Sequence, residues 1–220
     1  MENELFQASQ QQLTYRGHYH RRVAEQEEEF VVRCLSPRQE RVLEMGAGSG
    51  RVTRHLQVLA EHVTACEIDE AMLEPLQRRL GGAENVTFCP ATFDDFDKIP
   101  HRGLYSAAVA LRVLPYVSDW REAVRKLCRA LRPEGLVLFD LWNSQSFEYR
   151  LMQWAGFQDP VPTHRLDREG IRHALDNLPL EFVTSYRWGY PRLGAFSSDW
   201  IGEWLCPNSA YSTVFCCRVK

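Results

Sequence analysis

Little in this sequence points toward a membrane, a disulfide framework or a polyanionic partner. No run approaches the roughly eighteen apolar residues a spanning helix needs, and the start Met1-Glu-Asn-Glu-Leu-Phe-Gln7 lacks a cationic flank ahead of an apolar core. Neither a membrane helix nor a secretory leader is expected. The seven cysteines are odd in number, none shows C-x-x-C spacing, and most sit inside apolar runs. They read as small buried hydrophobes of a reducing compartment, which predicts a cytoplasmic protein without a metal centre. Charge is nearly balanced, with 26 Lys and Arg against 29 Asp and Glu and a net charge of −3. That gives no general attraction for nucleic acid.

What is present is one chain of 220 residues, 45% apolar, enough for one sizeable core. The focus is Arg41-Val-Leu-Glu-Met-Gly-Ala-Gly-Ser-Gly-Arg-Val-Thr53: a short apolar run, a carboxylate at Glu44, three alternate glycines, and then helical spacing. This is a strand entering a tight turn and a helix, where glycine lets backbone approach a ligand.

Around it the chain alternates. Residues 4–35 carry a helical pattern divided at Gly17 and stopped by Ser36-Pro37. A second strand, His62 to Glu67, leads to a helix with Asp69 as N-cap, ending at Gly81-Gly82. Asn85 to Cys89 is a third strand. Leu104 to Leu111, apolar on both faces, is a fourth and central one. Asp119 caps a helix with Ala123, Leu127 and Leu131 inward, and Gly135 to Leu141 is the fifth strand. After a weakly patterned stretch at 142–165, Leu166 to Leu178 reads as a helix, and Leu180 to Trp188 and Tyr211 to Val219 read as strands able to pair antiparallel at one edge.

The alternation predicts an α/β fold with a doubly wound, mostly parallel sheet and helices on both faces. Ligands then bind beyond the carboxyl ends of the strands, so the loops after Glu44, Glu67, Cys89 and Leu111 share one crevice. A carboxylate ending the second strand is suited to ribose hydroxyls. The glycine spacing, however, is G-x-G-x-G with Arg51 following, where a pyrophosphate site calls for G-x-G-x-x-G/A. A nicotinamide or flavin site is disfavoured.

Glu44-Met-Gly-Ala-Gly-Ser-Gly50, Glu67-Ile-Asp-Glu-Ala-Met-Leu73, Leu111-Arg-Val-Leu-Pro-Tyr-Val-Ser-Asp119 and Leu131-Arg-Pro-Glu-Gly-Leu-Val-Leu-Phe-Asp140 together resemble the ordered motifs of class I S-adenosylmethionine-dependent methyltransferases. The resemblance implies a seven-stranded sheet with one antiparallel C-terminal strand and a single domain. Within it, 1–37 would be a helical lid, 38–141 the cofactor core, 142–165 a substrate-side insert, and 166–220 the closing helix and hairpin. It implies S-adenosylmethionine as cofactor, with Gly46, Ala47 and Gly48 presenting backbone to its methionine part. Glu67 would take the ribose hydroxyls, and Ile68 and Met72 would pack on the adenine. Glu44 would bond the amides of the glycine turn while ordering the amino group. Thr92 stands where the family often has an aspartate facing the base, beside Phe93, and Ser106 and Glu134 also depart from the family pattern. Leu111, Tyr15 and Tyr19 complete the expected cofactor shell. Arg112 and Tyr116 are candidates for the acceptor, Arg112 having a loop salt bridge as its alternative.

Methyl transfer needs alignment more than a base, and His18, His20 and His164 are the candidates if one is used. The chain lacks the Asn/Asp-Pro-Pro-aromatic loop of amide and nucleobase N-methyltransferases, and has no Pro-Cys dipeptide. This favours transfer to oxygen or nitrogen of a small metabolite, by a monomer or homodimer. The competing readings are an inert binding or regulatory module that keeps the fold, and a protein or RNA methyltransferase.

Overall fold

One sheet organises the molecule, with strand order β3-β2-β1-β4-β5-β8-β7. The computed structural model describes residues 18–80, 82–156, 163–190 and 209–220. In chain order these form α1 (His18–Cys34), β1 (Gln39–Met45), α2 (Thr53–Leu59), β2 (Ala60–Cys66), α3 (Glu70–Leu80), β3 (Val86–Cys89) and β4 (Tyr105–Ala110). They continue with α4 (Trp120–Ala130), β5 (Leu131–Asn143), α5 (Phe147–Trp154), β6 (Arg165–Leu166), α6 (Arg168–Arg172), β7 (Leu180–Trp188) and β8 (Ser212–Val219).

Strands β1 to β5 pair in parallel, and β8 runs antiparallel to both β5 and β7. The two-residue β6 adds a short parallel pairing at Trp142 and Asn143. Every residue of β4 is buried, as a central parallel strand requires. Val42, Val63, Val109, Leu138 and Val214 face α1 and α2. Leu43, Ala108, Val137, Phe139 and Phe215 face α4 on the other side. Helix α4 shows how the local sequence decides this: the Asp119 carboxylate accepts from the Glu122 amide at 3.0 Å, and Trp120, Ala123, Val124 and Leu127 recur at helical spacing on the buried side.

Strand β5 starts at Leu131, which was expected on the preceding helix, and the structure departs further from the sequence reading in the two segments that follow it. The helix expected over 166–178 shrinks to α6: Leu166 is drawn into β6, and after Arg172 the chain passes into turns, with Asn177 at φ +62° outside the helical region. Ala174 and Leu178 are buried all the same, from turns. Of the stretch expected as an insert over 142–165, the first two residues belong to β5, which runs to Asn143, and α5 follows, its N-cap Ser146 accepting from the Tyr149 amide. Among the described residues, no helix is long and apolar enough to cross a membrane.

Candidate active site

The sheet order reverses between β1 and β4, so the chain leaves these neighbouring strands in opposite directions and opens a crevice at their carboxyl ends. The glycine turn lines one side of it. Gly46, Gly48 and Gly50 all adopt positive φ, +70°, +54° and +81°. A Cβ on Gly46 would lie 2.3 Å from Val113 Cγ2, whereas a Cβ on Gly48 would meet nothing within 4 Å. Gly46 is thus required by packing against the loop after β4, while the bare Cα of Gly48 faces open space.

The turn's amides are satisfied from β2. Gly46 and Ala47 both donate to the Cys66 carbonyl at 2.9 Å. Gly48 donates to Glu67 Oε2 at 2.8 Å, and Glu67 Oε1 accepts from Ile68 and Asp69 at 2.8 and 2.9 Å. This corrects the expectation for Glu44, since the carboxylate that bonds the turn is Glu67. Strand β2 lies beside β1 in register, Glu44 opposite Ala65, and Glu67, just past the end of β2, folds across the turn.

Glu44 is left in an unusual state. It is only 3% exposed, and its Oε2 is buried without a hydrogen-bond partner. Burial raises its carboxyl to about 7; Thr53 and Arg51 oppose the shift, and the charge of Glu67 adds to it. A buried carboxylate oxygen at a strand end with nothing to bond is a seat for a cation.

Ile68 is 52% exposed, and Met72 is half-buried one helical turn on. Phe93 is buried. The Thr92 hydroxyl, a departure from the family's aspartate, is engaged in its own turn, donating to Asp95 Oδ2 at 3.1 Å and accepting from the Asp94 and Asp95 amides. Ser106 bridges to Arg41, donating to its carbonyl at 2.9 Å and accepting from its amide at 3.3 Å.

Leu111 is buried, and Arg112 follows it at φ +62°. The Arg112 side chain donates to Glu27 Oε2 at 2.7 Å and its guanidinium lies over Trp188. Of the two readings of Arg112, the salt bridge is the one formed, because α1 brings a buried carboxylate to it. Tyr116 packs edge-on against Trp142, and His164 is exposed, its amide bonded to the Pro115 carbonyl of the same loop. Tyr15 lies outside the described residues. His18, Tyr19 and His20 form the first turn of α1, and their side chains lie outside the described residues.

The sequence reading missed Glu27. The signal was present: Val23, Ala24, Glu27, Phe30 and Val31 share one face at helical spacing, so the acid lies inside an apolar stripe.

The sequence matches the family described as Methyltransferase domain over residues 15–185. Among curated proteins, it is 28% identical over 152 residues to malonyl-[acyl-carrier protein] O-methyltransferase of Erwinia billingiae, covering 66% of this chain and 56% of that one. It is 33% identical over 101 residues to demethylmenaquinone methyltransferase of Clavibacter sepedonicus, covering 45% and 40%. The chain spans about half the length of the curated relatives it matches. Among solved structures, the N-methyltransferase NodS of Bradyrhizobium japonicum, in complex with S-adenosyl-L-homocysteine, superposes with a TM-score of 0.63 at 16% identity, over 98% of each chain. With the ordered motifs, the reversed sheet order and a family match across most of its length, the chain belongs to the class I S-adenosylmethionine-dependent methyltransferases.

Proposed function

We propose that the crevice binds S-adenosylmethionine and transfers its methyl group to an oxygen or nitrogen of a small organic acceptor. The observation that carries the cofactor half is the orphaned Oε2 of Glu44 on the strand that enters the open-faced turn at Gly48. A carboxylate there is matched by the methionine ammonium, and the bare Cα admits the chain beside it. Glu67 already accepts three amide bonds. A carboxylate offers about four lone-pair positions, so roughly one, on Oε2, stays available for a ribose hydroxyl while the turn remains pinned. Exposed Ile68 supplies an apolar surface for the adenine, an arrangement that accounts for a large hydrophobe left half in water.

S-adenosylmethionine supplies a methyl carbon activated by its sulfonium. The chain's task is then to hold the acceptor in line and keep water out. The acceptor side is the aromatic rim at the ends of β5 and β8, where Tyr116, Trp142 and Tyr211 pack in sequence and the Arg165 guanidinium lies 4.7 Å from the Trp142 ring centroid and 3.9 Å from that of Tyr149. Flat apolar faces beside a cation suit a small organic molecule with a polar or anionic end. Of the curated relatives, one is named for O-methylation of a malonyl group on an acyl-carrier protein, which supports an oxygen acceptor, and one for demethylmenaquinone. His164, whose amide bonds the Pro115 carbonyl of the loop after β4, is the candidate base on the acceptor side.

Because burial pushes the Glu44 carboxyl up to about 7, part of it is protonated at neutral pH, and pairing with an ammonium drives it to the charged form. Binding of S-adenosylhomocysteine at pH 7 is expected to release protons, read as an enthalpy that differs between buffers of unlike ionisation heat. Glu44→Gln should abolish the release and weaken binding about tenfold, the scale of one charge-assisted bond. Buffer-independent enthalpies for both proteins would remove the assigned role of Glu44. Transfer itself is tested with methyl-labelled cofactor and a metabolite extract. Labelled small product above a Gly48→Asp control is expected, and label found only in protein or RNA would shift the acceptor class.

A further inference from the structure

Glu27 is fully buried on α1, and a single oxygen of its carboxylate serves two arginines. Oε2 lies 3.1 Å from Arg51 Nη2 and 2.7 Å from Arg112 Nη2. Arg51 follows the last glycine of the turn after β1, and Arg112 opens the loop after β4. These segments flank the switch point of the sheet, so one carboxylate on a helix outside the sheet ties the two together.

Arg51 is tied to α1 at two further points, and Arg112 is anchored on its own wall. Arg51 Nη1 donates to the Ala24 carbonyl and to Glu28 at 3.3 Å. The Arg112 amide donates to Asp140 Oδ1 at 2.6 Å, which holds its left-handed backbone, and Asp140 is itself satisfied by Trp142 and Ser212. Without the Glu27 charge, two guanidiniums, each at least four-fifths buried, would face one another across the crevice. Glu27 Oε1 has no partner, and burial pushes the carboxyl upward against the pull of Arg51, while the second guanidinium at 2.7 Å holds it in the charged form. A neutral, well-packed side chain would sit in this place at lower cost, so fold stability alone does not explain the acid.

We propose that Glu27 is a positioning residue for the cofactor: acting through Arg51 and Arg112, it sets the spacing between the glycine turn and the loop after β4, without touching the cofactor. The proposal rests on the crevice being the S-adenosylmethionine site, and goes beyond it by naming a residue on α1 that sets its affinity.

The test is calorimetry with S-adenosylhomocysteine on the full chain, at a temperature well below melting. Glu27→Gln keeps the shape and removes the charge, and is expected to weaken binding at least tenfold with an unchanged far-ultraviolet spectrum. Glu27→Asp, one methylene too short to meet both arginines, should bind nearly as weakly as Glu27→Gln. A role through Arg51 predicts non-additivity, so Glu27→Gln combined with Arg51→Met should bind no more weakly than the worse single variant. Unchanged affinity in Glu27→Gln with only a lowered melting temperature, or fully additive effects, overturns the proposal and leaves the cofactor site standing. Absence of binding by the wild-type protein overturns the cofactor site and the proposal together. If Glu27→Gln does not fold, Glu27→Leu with Arg51→Met and Arg112→Leu removes all three charges at once, and wild-type affinity in that variant is equally fatal.

Discussion

Replacing Glu67 by alanine is expected to weaken S-adenosylhomocysteine binding more than a hundredfold and to destabilise the protein by about 4 kcal/mol. The size follows from three amide donors losing one acceptor. Gly48, Ile68 and Asp69 all bond this carboxylate, and the Asp69 bond is buried. Bonds to a charged acceptor are each worth about 1.5–3 kcal/mol, partly recovered where water reaches the freed amide. The glycine turn would lose its tie to the β2 end at Gly48, while Gly46 and Ala47 keep theirs through the Cys66 carbonyl. Urea denaturation gives the stability loss and calorimetry the affinity. A variant that is destabilised yet binds with near wild-type affinity would show that the carboxylate only builds the turn.

The second large effect is expected at Gly46. A Cβ there meets Val113 Cγ2 at 2.3 Å, in a backbone at φ +70°. Left-handed backbone costs a non-glycine residue about 1–2 kcal/mol, and overpacking against Val113 about 1–3 kcal/mol more, for a total near 3 kcal/mol. Because Val113 adjoins Arg112, relief of the clash pushes the two crevice walls apart, and cofactor affinity should fall by about a hundredfold as well. Gly46→Ala with Val113→Ala separates the two costs, since it removes the clash and keeps the strain. Recovery of roughly half the lost stability is expected, and no recovery would mean that strain alone governs the position. Gly48→Ala, at similar φ but open to space, should cost only about 1 kcal/mol.

Much of the fold is legible along the chain because its signals are local. The largely apolar run at Tyr105 to Ala110, the cap at Asp119 with its helical stripe, and the glycines between β1 and α2 each report on a few consecutive residues. The stretch after β5 was less legible. Leu166, Ile171, Ala174 and Leu178 keep helical spacing, but burial from turns satisfies the same spacing, and Leu166 pairs with Asn143 from 23 positions away.

Site residues divide in the same way. Glu44 and Glu67 were identifiable as strand-end carboxylates. Which of them bonds the turn depends on how β2 aligns with β1, a register that neither segment encodes alone. Arg112 read equally well as an acceptor ligand or a salt bridge until the helix 85 positions earlier placed Glu27 beside it.

The sequence by itself determined the doubly wound sheet, the crevice at its switch point and the family, because apolar periodicity, turn glycines and ordered motifs are properties of short stretches. Only the tertiary structure decided the partners of each charge: Glu67 on the glycine turn, Glu44 with its Oε2 left without a partner, and Glu27 across two arginines. The reason is that burial raises the cost of an unpaired charge, and both burial and partner arise only when segments distant in sequence pack together.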